Sequence, residues 1–493
     1  MKAEAHTASG VLSAIRFLRA RFPAVIIISA ALLVPCFWHG HIEAGDLASH
    51  TYNAWLAQLI EHGQAPGLYI SPHFTNILAD VALARLGGVL GFGAAEKMVV
   101  GACVLIFFGS AFALIAAATR QLPWFLIPAI AMLAYGWTFE MGFLNYYLSL
   151  GLGFFAIALL WRGHGMDWTA GAVLAGVTLL AHPMGLGCVV AIISYIKLAE
   201  RTNGAKRWGI FVAALLAVFV AHVYIGHHFR AQYWDTSFFY AMNGADQLVL
   251  FGGHYAKLAA GALVFVICCF FVDLGQKKVT ASRWRCRTAL ELWSIMLFTA
   301  AMIPELIQLP QYVSPVGFVI SRLTSVTAVM GLCILGSVSP KKWHLIGLST
   351  IAAVFFLLLF IDTGAVNRME AEADRMVSEL PYGRRVIARI EAPRGWRVEF
   401  ISHIVDRACV GHCFAYANYE ASSGQFRIRA NHGNPLVTDS PEAAHAMEAG
   451  EYVARPEDLP MTEIYQCDDK DWKRLCMRDL AAGEKTGTWG GAR

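Results

Sequence analysis

The amino-acid sequence predicts a polytopic α-helical membrane protein of about eleven spans, followed by a soluble α/β domain. Three observations carry that prediction. Of the 493 residues 57% are hydrophobic and only 15% charged, whereas a soluble domain carries about 25% charge. Apolar segments approaching the roughly 20 residues a helix needs to cross a bilayer recur from Pro23 to Gly364. Beyond Gly364 they stop, and an ordinary polar composition takes over. Mean hydropathy is +0.51. The formal charge of +4 is too small to point to a polyanionic partner, so no nucleic acid is expected.

The first span, 24–38, follows Arg16, Arg19 and Arg21. It resembles a signal peptide, but Pro35-Cys36-Phe37-Trp38 is a poor small-residue cleavage site, so it reads as an uncleaved anchor. Further spans are expected near 97–118, 122–137, 143–162, 168–182, 184–199, 207–226, 247–272, 287–309, 314–337 and 344–364. Residues 74–93 are apolar but carry Asp80 and Arg85 and are broken by Gly87, Gly88, Gly91 and Gly93. Charge asymmetry decides their place, because Lys and Arg stay on the cytoplasmic side. With 74–93 on the surface, Arg120, Arg162, Arg201, Lys206, Arg207, Lys277, Lys278, Arg283, Arg285, Arg287, Lys341 and Lys342 share one side. Mainly Arg85 and Arg230 remain opposite. The expected organisation is a membrane domain over 1–365, with residues 39–96 as its first outside loop, and an extracytoplasmic (periplasmic) domain over 366–493. The expected location is a cell inner (cytoplasmic) membrane, with the N-terminus cytoplasmic.

The outside loop predicts two amphipathic helices lying in the membrane interface. Over Asp46–His62, Leu47, Thr51, Trp55 and Leu59 fall on one side and Asp46, His50 and Asn53 on another. Gly63–Pro66 ends it, and 76–90 forms the second helix. The tail alternates strand-like runs at 385–390, 425–430 and 451–454 with helical stretches at 366–380, 440–449 and 470–482. It holds no nucleotide-binding glycine loop and no nucleophile elbow. Cys409, Cys413, Cys467 and Cys476 form an even set there, expected to pair in an oxidising compartment. The pairs are Cys409–Cys413 with Cys467–Cys476, or crossed. A zinc site with His403 and His412 is the rival, although the spacing fits no standard zinc pattern.

Candidate chemistry begins at Gly45-Asp-Leu-Ala-Ser-His50, directly after the first span. It sets a carboxylate, Asp46, and an imidazole, His50, one helical turn apart, with His39, His41 and Glu43 just upstream. Asp46 can act as a general base at the membrane surface; the plain alternative is a helix N-cap. His50 can orient that base or bind a phosphate. Glu140, in the turn Trp137–Tyr146, is an ionisable group near membrane depth; otherwise it belongs to an ordinary interfacial turn. His182-Pro183 faces the same side or caps a helix. Arg322, near the outer end of the tenth span, has a planar fork suited to a phosphate, or else snorkels to the headgroups. Asp235, in the 229–246 loop, is a further carboxylate.

The segment Ala44-Gly-Asp-Leu-Ala-Ser-His-Thr-Tyr-Asn53, set in a large first outside loop after span one, resembles the acidic segment of the GT-C superfamily of membrane glycosyltransferases. The resemblance implies a GT-C-like membrane domain with Asp46 and His50 as catalytic residues. It implies substrate-binding roles for Glu140, His182, Arg322, Asn53 and Asp80. Many members carry paired acids in this loop; here His50 replaces one, or Asp80 supplies it. The implied activity is an inverting hexosyl or pentosyl transfer from a polyprenyl-phosphate-linked sugar donor to an envelope glycan, lipid or protein acceptor at the outer face. No soluble cofactor is implied, and there is room for a divalent cation, Mg or Mn. Two alternatives stand beside it. One is a non-catalytic GT-C-like scaffold in which Asp46 is only a cap. The other is a lipid or glycan transporter, which calls for ionisable groups deep in the spans and inverted repeats; the spans are nearly charge-free.

Overall fold

The structure, a computed structural model, describes residues 20–233, 242–274, 279–468 and 471–487. Asp235 lies outside the described residues. The chain opens with α1 (Phe22–Leu33), whose first turn holds Pro23, where the missing N–H has no helical partner to lose. The long loop that follows folds as α2 (Leu47–Glu61), a short strand β1 (Leu68–Ile70) and α3 (Leu78–Leu90). Gly91 (φ 80°) ends α3 and starts α4 (Phe92–Thr119), a turn that a residue with a Cβ rarely adopts.

The bundle continues through α5 (Ile127–Ala134), the one-turn α6 (Trp137–Glu140), α7 (Leu144–Arg162), α8 (Met166–Ala181), α9 (Pro183–Glu200) and α10 (Gly204–His228). After strand β2 (Arg230–Gln232) come α11 (Gly252–Leu274) and α12 (Val279–Met302). Strand β3 (Leu306–Gln308), paired antiparallel with β2, leads to α13 (Val319–Leu335) and α14 (Lys342–Ser378). The centre is α4 against α7. Gly151 permits it, because a Cβ there would sit 3.1 Å from the Phe107 backbone nitrogen. Val104, Phe107, Phe154 and Ile157 fill the seam.

These are the helices of a helical membrane protein. Among the described residues six are long and apolar enough to cross a bilayer: α4, α7, α9, α10, the Gly252–Val272 part of α11, and α14. On α10, Val212, Leu216, Phe219 and Val223 all face outward. That is costly in water and natural against hydrocarbon. The expected eleven spans are not reached. Three apolar helices, Phe22–Cys36, Met166–Ala181 and Val319–Leu335, are shorter, and the segment expected to span at 122–137 is a 3₁₀ turn followed by the eight-residue α5. The first half of α12 reads Val279-Thr-Ala-Ser-Arg-Trp-Arg-Cys-Arg287, too basic for a continuous apolar span.

Three further expectations are corrected. The helix α2 does not lie exposed on an interface: Tyr52 and Leu56 are fully buried. The C-terminal domain covers it, with the Ala415 N–H donating to the Tyr52 hydroxyl (2.8 Å) and Phe414 stacking on Trp55. The boundary at 365/366 falls inside α14, which runs unbroken to Ser378. In the tail, the described part of the expected 470–482 helix, residues 471–482, is not helical, and 451–454 makes only an isolated bridge from Val453 to Lys485.

The tail sheet has four strands, β4 (Arg385–Arg389), β5 (Phe414–Ala415), β7 (Met461–Gln466) and β8 (Leu475–Asp479), in the order β5-β4-β7-β8. The first three are mutually parallel, and β8 returns antiparallel to β7. Strand β8 forms because Cys476, opposite Tyr465, is tied to Cys467 at the end of β7, closing a hairpin. The second disulfide joins Cys409 to Cys413. Short helices α15 (Ile404–Ala408), α16 (Tyr419–Ser423) and α17 (Pro441–Glu448) pack around the sheet. The remaining strand, β6 (Ile428–Ala430), leaves it to pair antiparallel with β1 of the first loop.

A buried ionic cluster fixes this interleaving. Arg407 of α15 forks onto Glu370 of α14 (2.5 and 2.6 Å), reaches Glu96 of α4 (3.0 Å) and donates to the Ile42 carbonyl (3.0 Å). Glu43 lies 3.6 Å away and accepts from Asn367 (2.7 Å), while Thr51 donates to Glu96 (2.6 Å). Burial and the neighbouring Glu370 charge push the Glu43 carboxyl well up, so it holds its proton. One cation thereby ties the tail, the N-terminal end of α4, α14 and the chain leading into Asp46.

Candidate functional site

Asp46 is set by backbone on both sides. The Gly45 N–H donates to the Glu140 carbonyl (2.8 Å) and the Asp46 N–H to the Met141 carbonyl (2.9 Å). The turn that supplies them depends on Gly142 (φ 75°), where a Cβ would lie 2.5 Å from the Asp46 nitrogen. Gly45 has equally little room, 2.9 Å from the Met141 oxygen. Asp46 occupies the N-cap position of α2, but its backbone is helical (φ −69°, ψ −7°) and its side chain makes no capping bond. The carboxylate is therefore not consumed by the helix end; its side chain stays 31% exposed, facing Nε2 of His403 at 3.8 Å.

His50 does not pair with Asp46. Its Nδ1 lies 2.7 Å from Asp80 of α3, and Asp80 is held in turn by Asn145 of α7 (2.9 Å). Burial disfavours the charged imidazole, but the Asp80 charge and hydrogen bond outweigh it and hold His50 up at about 9. His403 repeats the arrangement from the C-terminal domain, with Nδ1 2.8 Å from Asp406. Burial opposes its charge too, and Asp406 with Asp46 raises it to about 9. Next to both stands Glu420, buried at the start of α16. Burial, set against the His50 charge and joined by those of Asp80 and Asp46, brings its carboxyl up to about 8. The Tyr419 ring lies tilted against the His403 ring (5.3 Å), and its hydroxyl bonds to Ser49.

Arg322 is the nearby cation from the bundle. Its guanidinium lies over the Phe143 ring (4.0 Å) and near Tyr146 (5.8 Å), within electrostatic reach of Asp46 and Glu305. The Tyr146 hydroxyl donates to its carbonyl (2.9 Å). Its Nε is buried without a hydrogen-bond partner, and among the described residues no carboxylate pairs with the guanidinium. A half-buried cation over aromatic rings and without a paired carboxylate has its hydrogen-bond donors left for an anion.

Comparisons with protein-family models, with curated proteins and with solved structures find no match to this chain. The site therefore stands on its geometry.

The structure brings Asp46, His50, Asp80 and Arg322 together. Three other expected residues serve differently. Asn53 is buried, donating to the Ser49 carbonyl (3.0 Å) and accepting from Asn418 of the tail (2.8 Å), so its amide is spent joining loop to domain. His182 is the N-cap of α9: its Nδ1 accepts from the Met184 N–H (3.2 Å), and its ring meets Tyr146 edge-on. The Glu140 carboxyl is buried, with Oε2 unpartnered, beside Cys36, Tyr135 and Tyr147. Burial pushes it well above the usual range. Its contribution to the site is its backbone carbonyl. No group of three or more His, Cys, Asp or Glu set to hold a metal ion occurs among the described residues, and the sulfurs proposed for zinc are in disulfides.

Sequence reasoning missed His403–Asp406 and Tyr419–Glu420. The only local signal was the three-residue spacing of His403 and Asp406, which places both on one side of a helical turn. The arrangement can accept a proton at Asp46 and bind an anion at Arg322.

Proposed function

We propose that the chain is a membrane glycosyltransferase of GT-C type. It would move a sugar from a polyprenyl-phosphate donor to a hydroxyl-bearing envelope acceptor, glycan, lipid or protein. The observation that carries this reading is a carboxylate, Asp46, that caps no helix end and lies within electrostatic reach of Arg322, a guanidinium that no carboxylate pairs with among the described residues.

Asp46 takes the proton from the acceptor hydroxyl as its oxygen attacks the anomeric carbon. The bond from that carbon to the phosphate oxygen breaks on the opposite face, inverting the centre, and polyprenyl phosphate departs with the electron pair. The leaving group is already an anion and needs fixed positive charge more than a general acid. Arg322, having no carboxylate of its own, supplies that charge at no cost in broken ion pairs. His50, locked by Asp80, adds a second positive edge on the helix that carries Asp46.

The test uses the full chain in reconstituted vesicles with a panel of radiolabelled polyprenyl-phosphate sugars, wild type beside Asp46→Asn. One donor is consumed by the wild type, and the variant loses roughly 10²–10⁴-fold in rate while keeping its unfolding midpoint. Turnover undiminished in Asp46→Asn removes the base; no turnover of any donor by folded wild type removes the reaction.

A further inference from the structure

The C-terminal domain sets an ordered carboxylate–imidazole–carboxylate line at Asp46. Asp406 binds His403 at Nδ1 (2.8 Å), and the opposite ring nitrogen, Nε2, lies 3.8 Å from the Asp46 carboxylate. Asp406 fixes the ring so that Nδ1 carries a proton and the Nε2 edge turns to Asp46. The His403 side chain is 14% exposed and is braced by the Tyr419 ring.

The approach is also enforced from the other end of α15. Arg407, one turn beyond His403, is clamped by Glu370 and Glu96 and bonds the Ile42 carbonyl, four residues before Asp46. One short helix therefore touches the segment bearing Asp46 twice, first by Arg407 and then by His403. The titratable groups facing His403 are Asp46 from α2, Asp406 on its own helix, Glu399 before it, Glu420 from α16 and Glu448 from α17. All are acidic, so the ring is placed as a cation.

We infer that His403, held by Asp406, is a positioning residue of the Asp46 site: a fixed counter-charge, supplied by the C-terminal domain, that faces the carboxylate and aims it. The inference rests on the glycosyltransferase reading for its consequence, but the pairing itself does not. At neutral pH the ring is an imidazolium, since burial is outweighed by Asp406 and Asp46. That places a positive charge 3.8 Å from the carboxylate that is to accept the proton. The tail is then part of the active site rather than an appendage to it.

Two measurements on the full chain decide the matter. The first is the pH profile of sugar transfer in vesicles for wild type, His403→Gln and Asp406→Asn. In both variants the loss of kcat is largest at the acid end of the profile and shrinks toward neutral pH. The KM for the donor stays within about twofold, and the alkaline limb near 9 weakens in His403→Gln to the part that His50 carries. A loss of equal size at every pH would mark a merely structural role and overturn the inference, while leaving the transferase reading standing.

The second needs no turnover. Carbethoxylation of His403 by diethyl pyrocarbonate, read by mass spectrometry, follows the neutral imidazole as pH rises. Asp46→Asn and Asp406→Asn should each lower its midpoint by about one pH unit. A midpoint that Asp46→Asn leaves in place overturns the pairing. If the wild type transfers no sugar, the transferase reading falls, and this midpoint alone decides whether Asp46 and His403 are coupled.

Discussion

Arg407 is where the structure makes its most exposed quantitative claim. Arg407→Ala removes the one guanidinium shared by Glu370, Glu96 and Glu43, whose carboxyl groups are 0, 3 and 0% exposed. Glu43 already carries a proton, so two buried carboxylates lose their counter-charge, and the Ile42 carbonyl loses a donor. Breaking a buried ion pair from one side costs about 3–5 kcal/mol, because the abandoned charge stays desolvated. A tenfold change in an equilibrium corresponds to about 1.4 kcal/mol. Local opening of the tail from the bundle should therefore become roughly 10²–10³ times more populated. Hydrogen exchange on the full chain in detergent reads it directly: amides of α2, α15 and β5 lose two to three decades of protection, while those at the α4–α7 seam do not. Arg375→Ala is the control, since its contact to Glu372 is 3.7 Å long and the arginine is 68% exposed, worth at most about 1 kcal/mol. A drop of less than about tenfold in Arg407→Ala would refute the view that this cluster holds the two parts in register.

Two further expectations follow from the same site. Arg322→Met removes a half-buried cation that no carboxylate compensates, so the unfolding midpoint should rise or stay level while donor KM increases at least about tenfold; a midpoint lowered by several degrees would show a structural partner instead. Stability should fall as pH rises from 6.5 to about 9, because His50 in the folded chain titrates at about 9 against its ordinary 6.5. Its contribution, on the order of 3 kcal/mol, is complete below 6.5 and gone above 9. Glu420, raised to about 8, acts in the same direction, since ionising it in the folded state is unfavourable. Thermal midpoints at pH 6 and 9.5 check this, with His50→Gln flattening the slope; a wild-type midpoint independent of pH across that window would sink the assignment.

What could be read from the sequence was whatever depends on local spacing. The two loop helices were legible because an apolar period runs from Leu47 to Leu59 and because Gly63 and Gly91 stop the elements. The open place of Asp46 just after the first span was legible for the same reason. Span number was not, because apolarity does not fix length: Pro128 and the turn at Tyr135–Gly136 confine α5 to eight residues. The tail hairpin was misread because β8 exists through its partner β7 and the Cys467–Cys476 bond, neither of which leaves a helical or strand period around 475–479.

The site residues that sequence reasoning missed share one property, that they are distant along the chain. Arg407 meets the Ile42 carbonyl across 365 positions, and the Asn418–Asn53 bond closes the same span. A lone histidine in a polar tail carries no mark of the carboxylate it will face, so His403 read as a stray metal ligand. Its setting becomes visible only when α15 is pinned beside Asp46. The N-cap question shows the converse. Asp before an amphipathic helix is ordinarily a cap, and the sequence alone favours the cap over the base. The backbone of Asp46 turned helical one residue early, held there by the Glu140 and Met141 carbonyls, frees the carboxylate from the helix end. The Gly142 turn that makes those bonds therefore does more for the site than the Glu140 side chain does, and the short helix α6 is better understood as a bracket for Asp46 than as a source of a second acid.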